Sequence, residues 1–198
     1  MDKIGTHDSM TGEKSVWWSI PLIPFARTQS KTLLEQFQHG CRLFDIRLKY
    51  VGGKWRGAHG WWFTDKDATT LLKALFETAK FHQQEIHLLL TYEGKAKNSN
   101  DFLKYIDDVL MPCRNEYVKF GTICSKYSDT TKGIVVAYEI LRAAENGWLD
   151  SNFPNEQCFK PLDGRTWHTY LPIPFLWKQF YFKNVEFDSK TYKFVDFL

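Results

Sequence analysis

Between Cys41 and Tyr50 apolar and polar residues alternate. Leu43, Asp45, Arg47 and Lys49 fall on one side, and Phe44, Ile46 and Leu48 on the other. This period of two predicts a strand with one apolar and one charged face. Gly52-Gly53 reads as a tight turn into a second strand, Trp55 to His59. Helical spacing appears elsewhere. Leu71, Leu72, Leu75, Phe76 and Ala79 predict a helix from Asp67 or Thr69 to about Phe81. Leu33, Leu34 and Phe37 predict another, capped by Ser30, running to His39 and stopped by Gly40.

The largely apolar stretch Ile86-His87-Leu88-Leu89-Leu90, within Glu85 to Thr91, predicts a buried strand, and Asn100 is expected to cap a helix that Pro112 ends near Leu110. A turn or short helix near 114–120 is expected before a short strand at 121–125. Thr131-Lys132-Gly133 then turns into a strand from Ile134 to Tyr138. Residues 2–6 read as a short strand leading into His7, and 193–198 as a last strand that contains Asp196. Residues 11–29 read as an irregular loop with Trp17-Trp18, Pro21 and Pro24, and 140–180 carry no strong period.

Strands alternating with helices predict an α/β fold built from parallel βα units, either a barrel or an open sheet. A chain of 198 residues is short for a full barrel, which takes about 250, so a compact form is expected. Its length suits one domain with a sizeable core. The net charge of +3 is too small to point to nucleic acid, although it does not oppose an anionic surface. Cys41, Cys113, Cys124 and Cys158 are scattered with no CxxC pair, which argues against structural zinc and for buried thiols. No apolar run is long enough to span a bilayer. No signal peptide is visible ahead of His7, so a soluble or peripheral protein of unassigned compartment is expected. The abrupt start before His7 and the stop after Asp196 are also what truncation at both ends would give.

The chemistry gathers in three short motifs: Gly5-Thr6-His7-Asp8-Ser9, Phe44-Asp45-Ile46-Arg47-Leu48 and Ala58-His59-Gly60. Each alone has an ordinary explanation, as a cap, a surface ion pair or a turn. Together they supply what phosphodiester cleavage needs: two imidazoles as base and acid, a guanidinium for the phosphoryl oxygens, and carboxylates to orient the imidazoles. Each motif is expected at the C-terminal end of a strand, where α/β folds place their sites. Aromatic content is high at 17%, mostly as core packing; Trp17 and Trp18 are candidates for contact with a lipid interface, with Trp61 and Trp62 weaker ones.

These motifs, in this order and spacing, resemble the X domain of the phosphatidylinositol-specific phospholipases C, in the bacterial-type, metal-independent branch. The resemblance continues through Glu85–Thr91 and Lys132–Tyr138 and ends on Phe194-Val195-Asp196-Phe197. It implies a distorted, compact TIM-type (β/α) barrel, with 1–198 as a single catalytic domain. It implies a phosphoric diester hydrolase or lyase that cleaves the glycerol–phosphate bond of a phospholipid at a transiently contacted membrane surface. His7 would be the general base and His59 the general acid. Asp8 would partner His59, Asp45 would help hold the charged site together, and Asp196 would orient His7. Arg47 would stand where the calcium branch holds its ion, so no metal and no other cofactor is expected.

The cations that grip inositol in this family have no counterpart on the corresponding strands. The nearest residues are Thr91, Tyr92 and Glu93 on one strand and Tyr138 and Glu139 on the other, with Tyr92 and Glu139 the candidates for substrate binding, and a different head group is open. Two other readings compete. A catalytically inactive X-like domain that binds lipid head groups or a protein would be expected to lack His7 or His59. A metal-dependent barrel phosphodiesterase would carry an acidic residue in place of Arg47.

Overall fold

The computed structural model describes residues 4–6, 8–93, 99–123 and 193–195. The expected strand at 134–138, along with His7, Glu139 and Asp196, lies outside them. At the centre is β2 (Cys41–Val51), the long alternating stretch. It pairs in parallel with β1 (Ile4–Thr6) over Cys41 to Phe44, and with β5 (Ile86–Tyr92) over Leu43 to Leu48. A hairpin through Gly52 and Gly53, both at positive φ, returns β3 (Lys54–His59) antiparallel against Leu48 to Val51. Leu43 and Phe44 pair with both β1 and β5, and Leu48 with both β3 and β5. Hence β1 and β3 share one edge of β2 and leave Asp45, Ile46 and Arg47 at the junction between them.

The sheet continues through β4 (Trp62–Phe63) beyond β3, β6 (Val118–Ile123) beyond β5, and β7 (Lys193–Val195) beyond β1. It is α/β as expected, and among the described residues it is open between β6 and β7. One expectation is corrected: the strand ending on His59 is not part of the parallel set. Folding back, it brings His59 alongside the middle of β2 instead of to a parallel strand's C-terminal end.

The core lies on the even-numbered face of β2. Phe44, Ile46 and Leu48 pack there with Ile86, Leu88 and Leu90 of β5, under α3 (Ala68–Phe81), which contributes Leu72, Leu75, Phe76 and Ala79. The Asp67 carboxylate accepts from Thr69 N at 2.8 Å and starts α3. Trp55 stacks on Tyr105 at 4.6 Å and packs with Phe102 and Tyr92, so much of the aromatic content is core packing. Phe102 and Tyr105 come from α4 (Ser99–Tyr105), which runs on through a π turn, Ile106–Leu110, and a 3-10 turn, Met111–Cys113. The helical run therefore ends one short turn later than Leu110.

Three further differences have local causes. The expected loop at 11–29 contains 3-10 turns at Ser9–Gly12 and Trp17–Leu22, and one helical turn, α1 (Ile23–Ala26), with Pro24 in its first turn, where a missing N–H costs nothing. Thr32, rather than Ser30, caps α2 (Leu33–Gln38). Its hydroxyl accepts from Glu35 N while Glu35 accepts from Thr32 N, a reciprocal capping box. β6 starts at Val118 and not at 121, because Asn115 makes the turn, accepting from Tyr117 N and Val118 N. Cys41 and Cys113 are free thiols, and no helix among the described residues is long and apolar enough to cross a membrane.

Candidate active site

Asp45 and Arg47 project from the odd-numbered face of β2 into the gap where β1 ends and β3 returns. Asp8, two residues beyond β1, turns back toward them with left-handed backbone (φ 46°, ψ 50°), which Asp tolerates better than most residues. Its N–H donates to Asp45 Oδ2 at 3.1 Å. Arg47 Nε lies 2.6 Å from Asp8 Oδ1 and 3.1 Å from Asp45 Oδ2, and Arg47 Nη1 lies 3.5 Å from Glu93 Oε1. All three carboxylates are buried. Charges taken out of water this far are costly unless paired, and the guanidinium reaches all three.

Asp8 also faces His59. Its Oδ2 is 3.6 Å from His59 Nε2, close enough to stabilise an imidazolium but beyond hydrogen-bond length. The other ring nitrogen, Nδ1, lies 2.7 Å from the carbonyl oxygen of Ala26, at the end of α1. A carbonyl only accepts, so Nδ1 carries hydrogen and donates. In the neutral ring Nε2 is then the basic nitrogen, and in the charged ring it carries the exchangeable proton. Asp8 therefore bridges the guanidinium and the imidazole, one oxygen to each.

The turn that carries Asp8 is itself pinned. Ser9 Oγ donates to Thr6 O at 2.7 Å, Thr11 Oγ1 to Asp8 O at 2.8 Å, and Gln36 Nε2 of α2 to Ser9 O at 2.7 Å. Burial pushes the Cys41 thiol up to about 12, so this neighbour of Thr6 is a packed thiol and not a nucleophile.

Of the candidates read from the sequence, Asp8, Asp45, Arg47 and His59 are brought together. Tyr92 is not with them. It is buried on the core face, stacked on Phe102 at 5.3 Å. The reason is the register: Leu48 pairs with Tyr92 and Arg47 with Thr91, so Thr91 and Glu93 share the face of Arg47 while Tyr92 shares that of Leu48. Of the three residues the sequence offered at the end of this strand, Glu93 and not Tyr92 reaches the site. Trp17 and Trp18 are exposed and meet edge to face at 5.8 Å. Trp61 is exposed beside Lys49, whereas Trp62 is buried. Among the described residues no group of three or more His, Cys, Asp or Glu is placed to hold a metal ion.

The chain has a fold like that of the bacterial phosphatidylinositol-specific phospholipases C. The solved enzyme of that name from Listeria monocytogenes superposes with a TM-score of 0.52 at 13% identity, over 100% of this chain and 88% of that one. A variant of the Staphylococcus aureus phosphatidylinositol-specific phospholipase C gives 0.51 at 13% identity, over 98% and 84%. In sequence, a curated 1-phosphatidylinositol phosphodiesterase of Listeria monocytogenes is 27% identical over 113 residues, which are 57% of this chain and 34% of that protein. The match thus spans well under half of that relative's length. No protein-family model matches the chain.

Proposed function

We propose that this chain is a phosphodiesterase that cleaves the glycerol–phosphate bond of phosphatidylinositol or a related phospholipid. The observation that carries the reading is the bridge made by Asp8, with Arg47 at 2.6 Å on one oxygen and His59 at 3.6 Å on the other. It sets a phosphate-binding cation beside an oriented proton donor. The sequence match to a 1-phosphatidylinositol phosphodiesterase supports the choice of substrate.

In this reading His7 removes the proton from the head-group hydroxyl next to the phosphate. The freed oxygen attacks phosphorus, and the bond from phosphorus to the glycerol oxygen breaks. His59 gives the Nε2 proton to that leaving oxygen, so diacylglycerol and a cyclic phosphate depart. Arg47 neutralises the phosphoryl oxygens, and Asp8 stabilises the imidazolium before the proton moves. Asp45 holds Arg47 and the Asp8 backbone, and Asp196 orients His7. Glu139 remains a candidate for the head-group side. Arg47, set against three carboxylates, serves as the cation in this reading, and the reaction runs without metal. Residues 1–198 act as one catalytic domain of the compact, distorted (β/α) barrel type. Trp17 and Trp18 touch the membrane surface on which the substrate lies.

The test is cleavage of phosphatidylinositol vesicles with EDTA present. The wild type should release diacylglycerol, and His7→Ala and His59→Ala should each lose about 10²- to 10⁴-fold. Absence of wild-type cleavage would leave an inactive head-group binder as the better reading. Activity abolished by EDTA would overturn the metal-free mechanism.

A further inference from the structure

The three carboxylates around Arg47 are not equivalent. Asp8 and Asp45 both reach Nε, at 2.6 and 3.1 Å, and Asp45 also accepts from the Asp8 backbone. The Glu93 side chain has a single polar contact among the described residues, Oε1 to Arg47 Nη1 at 3.5 Å, the outer limit of a hydrogen bond. Its side chain is nevertheless only 8% exposed. A carboxylate can accept about four hydrogen bonds, and Glu93 Oε2 is not shut away from solvent, so donors on a ligand can reach it. Its place is set firmly. Glu93 N donates to Leu48 O at 2.8 Å, which carries the pairing of β5 with β2 one residue past Tyr92 and keeps the side chain on the face of Arg47 and Thr91.

A phosphodiester is all acceptor, so it belongs on Arg47 and His59 and has nothing to offer Glu93. Hydroxyl groups on the head group are donors. We propose that Glu93 is a specificity-determining residue that accepts hydrogen bonds from a polyhydroxylated head group beside the phosphate held on Arg47. The proposal rests on the phosphodiesterase reading for the identity of the phosphate ligand. It gives the head-group side of the site a recognition element that is anionic, where the sequence offers no cation on this strand.

Calorimetric titration with myo-inositol 1-phosphate and, separately, with inorganic phosphate tests it. Glu93→Ala should weaken the inositol phosphate about tenfold or more, the effect of losing a charge-assisted hydrogen bond. Inorganic phosphate should bind as in the wild type. Glu93→Gln, which keeps an acceptor oxygen, should fall between and serves also if the alanine variant does not fold. Equal weakening of both ligands would make Glu93 a support for Arg47 alone and overturn the proposal, as would unchanged binding of both. Vesicle cleavage by the wild type, run in parallel, separates the two readings. Cleavage with Glu93-independent binding overturns the inference and leaves the activity standing. Glu93-dependent binding without cleavage does the reverse. A wild type that binds no inositol phosphate overturns the inference outright.

Discussion

Arg47 is held at two nitrogens by three buried carboxylates, so its geometry matters as much as its charge. A lysine offers one compact ammonium and cannot reach Asp8, Asp45 and Glu93 in the same fork. Arg47→Lys should therefore keep a folded protein and lose about 10²- to 10³-fold in kcat on phosphatidylinositol vesicles, the scale of losing an aligned charge-stabilising group. Arg47→Ala leaves Asp8 and Asp45 buried without the guanidinium. Breaking a buried pair in this way costs about 3–5 kcal/mol, and urea unfolding at neutral pH measures it. A lysine variant with wild-type turnover would show that charge alone suffices at this position.

Residues of this kind are unevenly legible in a sequence. Asp45 and Arg47 follow from a period of two within one strand. Glu93 follows from the same period only after the β2–β5 register is known, and a shift of one residue selects Tyr92 instead. The Ala26 carbonyl that fixes the His59 ring leaves no trace at all, since every residue has a carbonyl and only the path of the chain brings this one to 2.7 Å.

At the scale of elements, the turn bearing Asp8 is secured by α2, and the contacts between them are close. A Cβ on Gly12 would lie 1.8 Å from the carbonyl oxygen of Lys31, a backbone atom that cannot swing aside. Gly12→Ala should lower the melting temperature and, because the same turn carries Asp8, reduce turnover in the fraction that folds. Beside it, Glu13 accepts from Leu33 N at 2.8 Å, in the first turn of α2. Burial raises the Glu13 carboxyl above its usual value of 4.5, and this outweighs the lowering by the Leu33 hydrogen bond and by Lys66.

The folded state thus binds this proton more tightly than the unfolded state. The stabilisation is fully present below 4.5 and is lost as pH rises through the higher folded value. Glu13→Gln keeps an acceptor for Leu33 N without the buried charge. Its melting temperature should exceed that of the wild type at pH 7, and the gap should shrink toward pH 4. A gap independent of pH would rule out Glu13 titration as the cause. The sequence pointed to Ser30 as the cap of α2, and Thr32 takes that place for a related reason. Both can cap, and the choice is made by a partner three residues on, Glu35 for Thr32, together with the long-range anchor from Glu13.

For the whole molecule, the hairpin and the parallel pairs of β2 decide where the chemistry sits, while the segment from Trp17 to Ala26 decides how the site meets its surroundings. That segment exposes Trp17 at 77%, Trp18 at 48%, and Ile20 and Phe25 at 53% each. Four large apolar side chains on ten residues are costly to leave in water and favourable at a bilayer interface. The same segment ends on Ala26, whose carbonyl holds His59 Nδ1. A surface that seats these side chains therefore lies next to His59, the proposed proton donor, where a lipid's phosphodiester would have to be. Replacing Trp17 and Trp18 together by alanine should weaken binding to phosphatidylinositol vesicles roughly tenfold or more, given the apolar area withdrawn from the interface. Hydrolysis of water-soluble inositol 1,2-cyclic phosphate should change little, since the Asp8 bridge to Arg47 and His59 involves neither ring. Sedimentation of the protein with vesicles gives the first quantity and phosphate-ester kinetics the second. Parallel losses in both would place the two tryptophans in the folding of the segment instead of at the lipid surface.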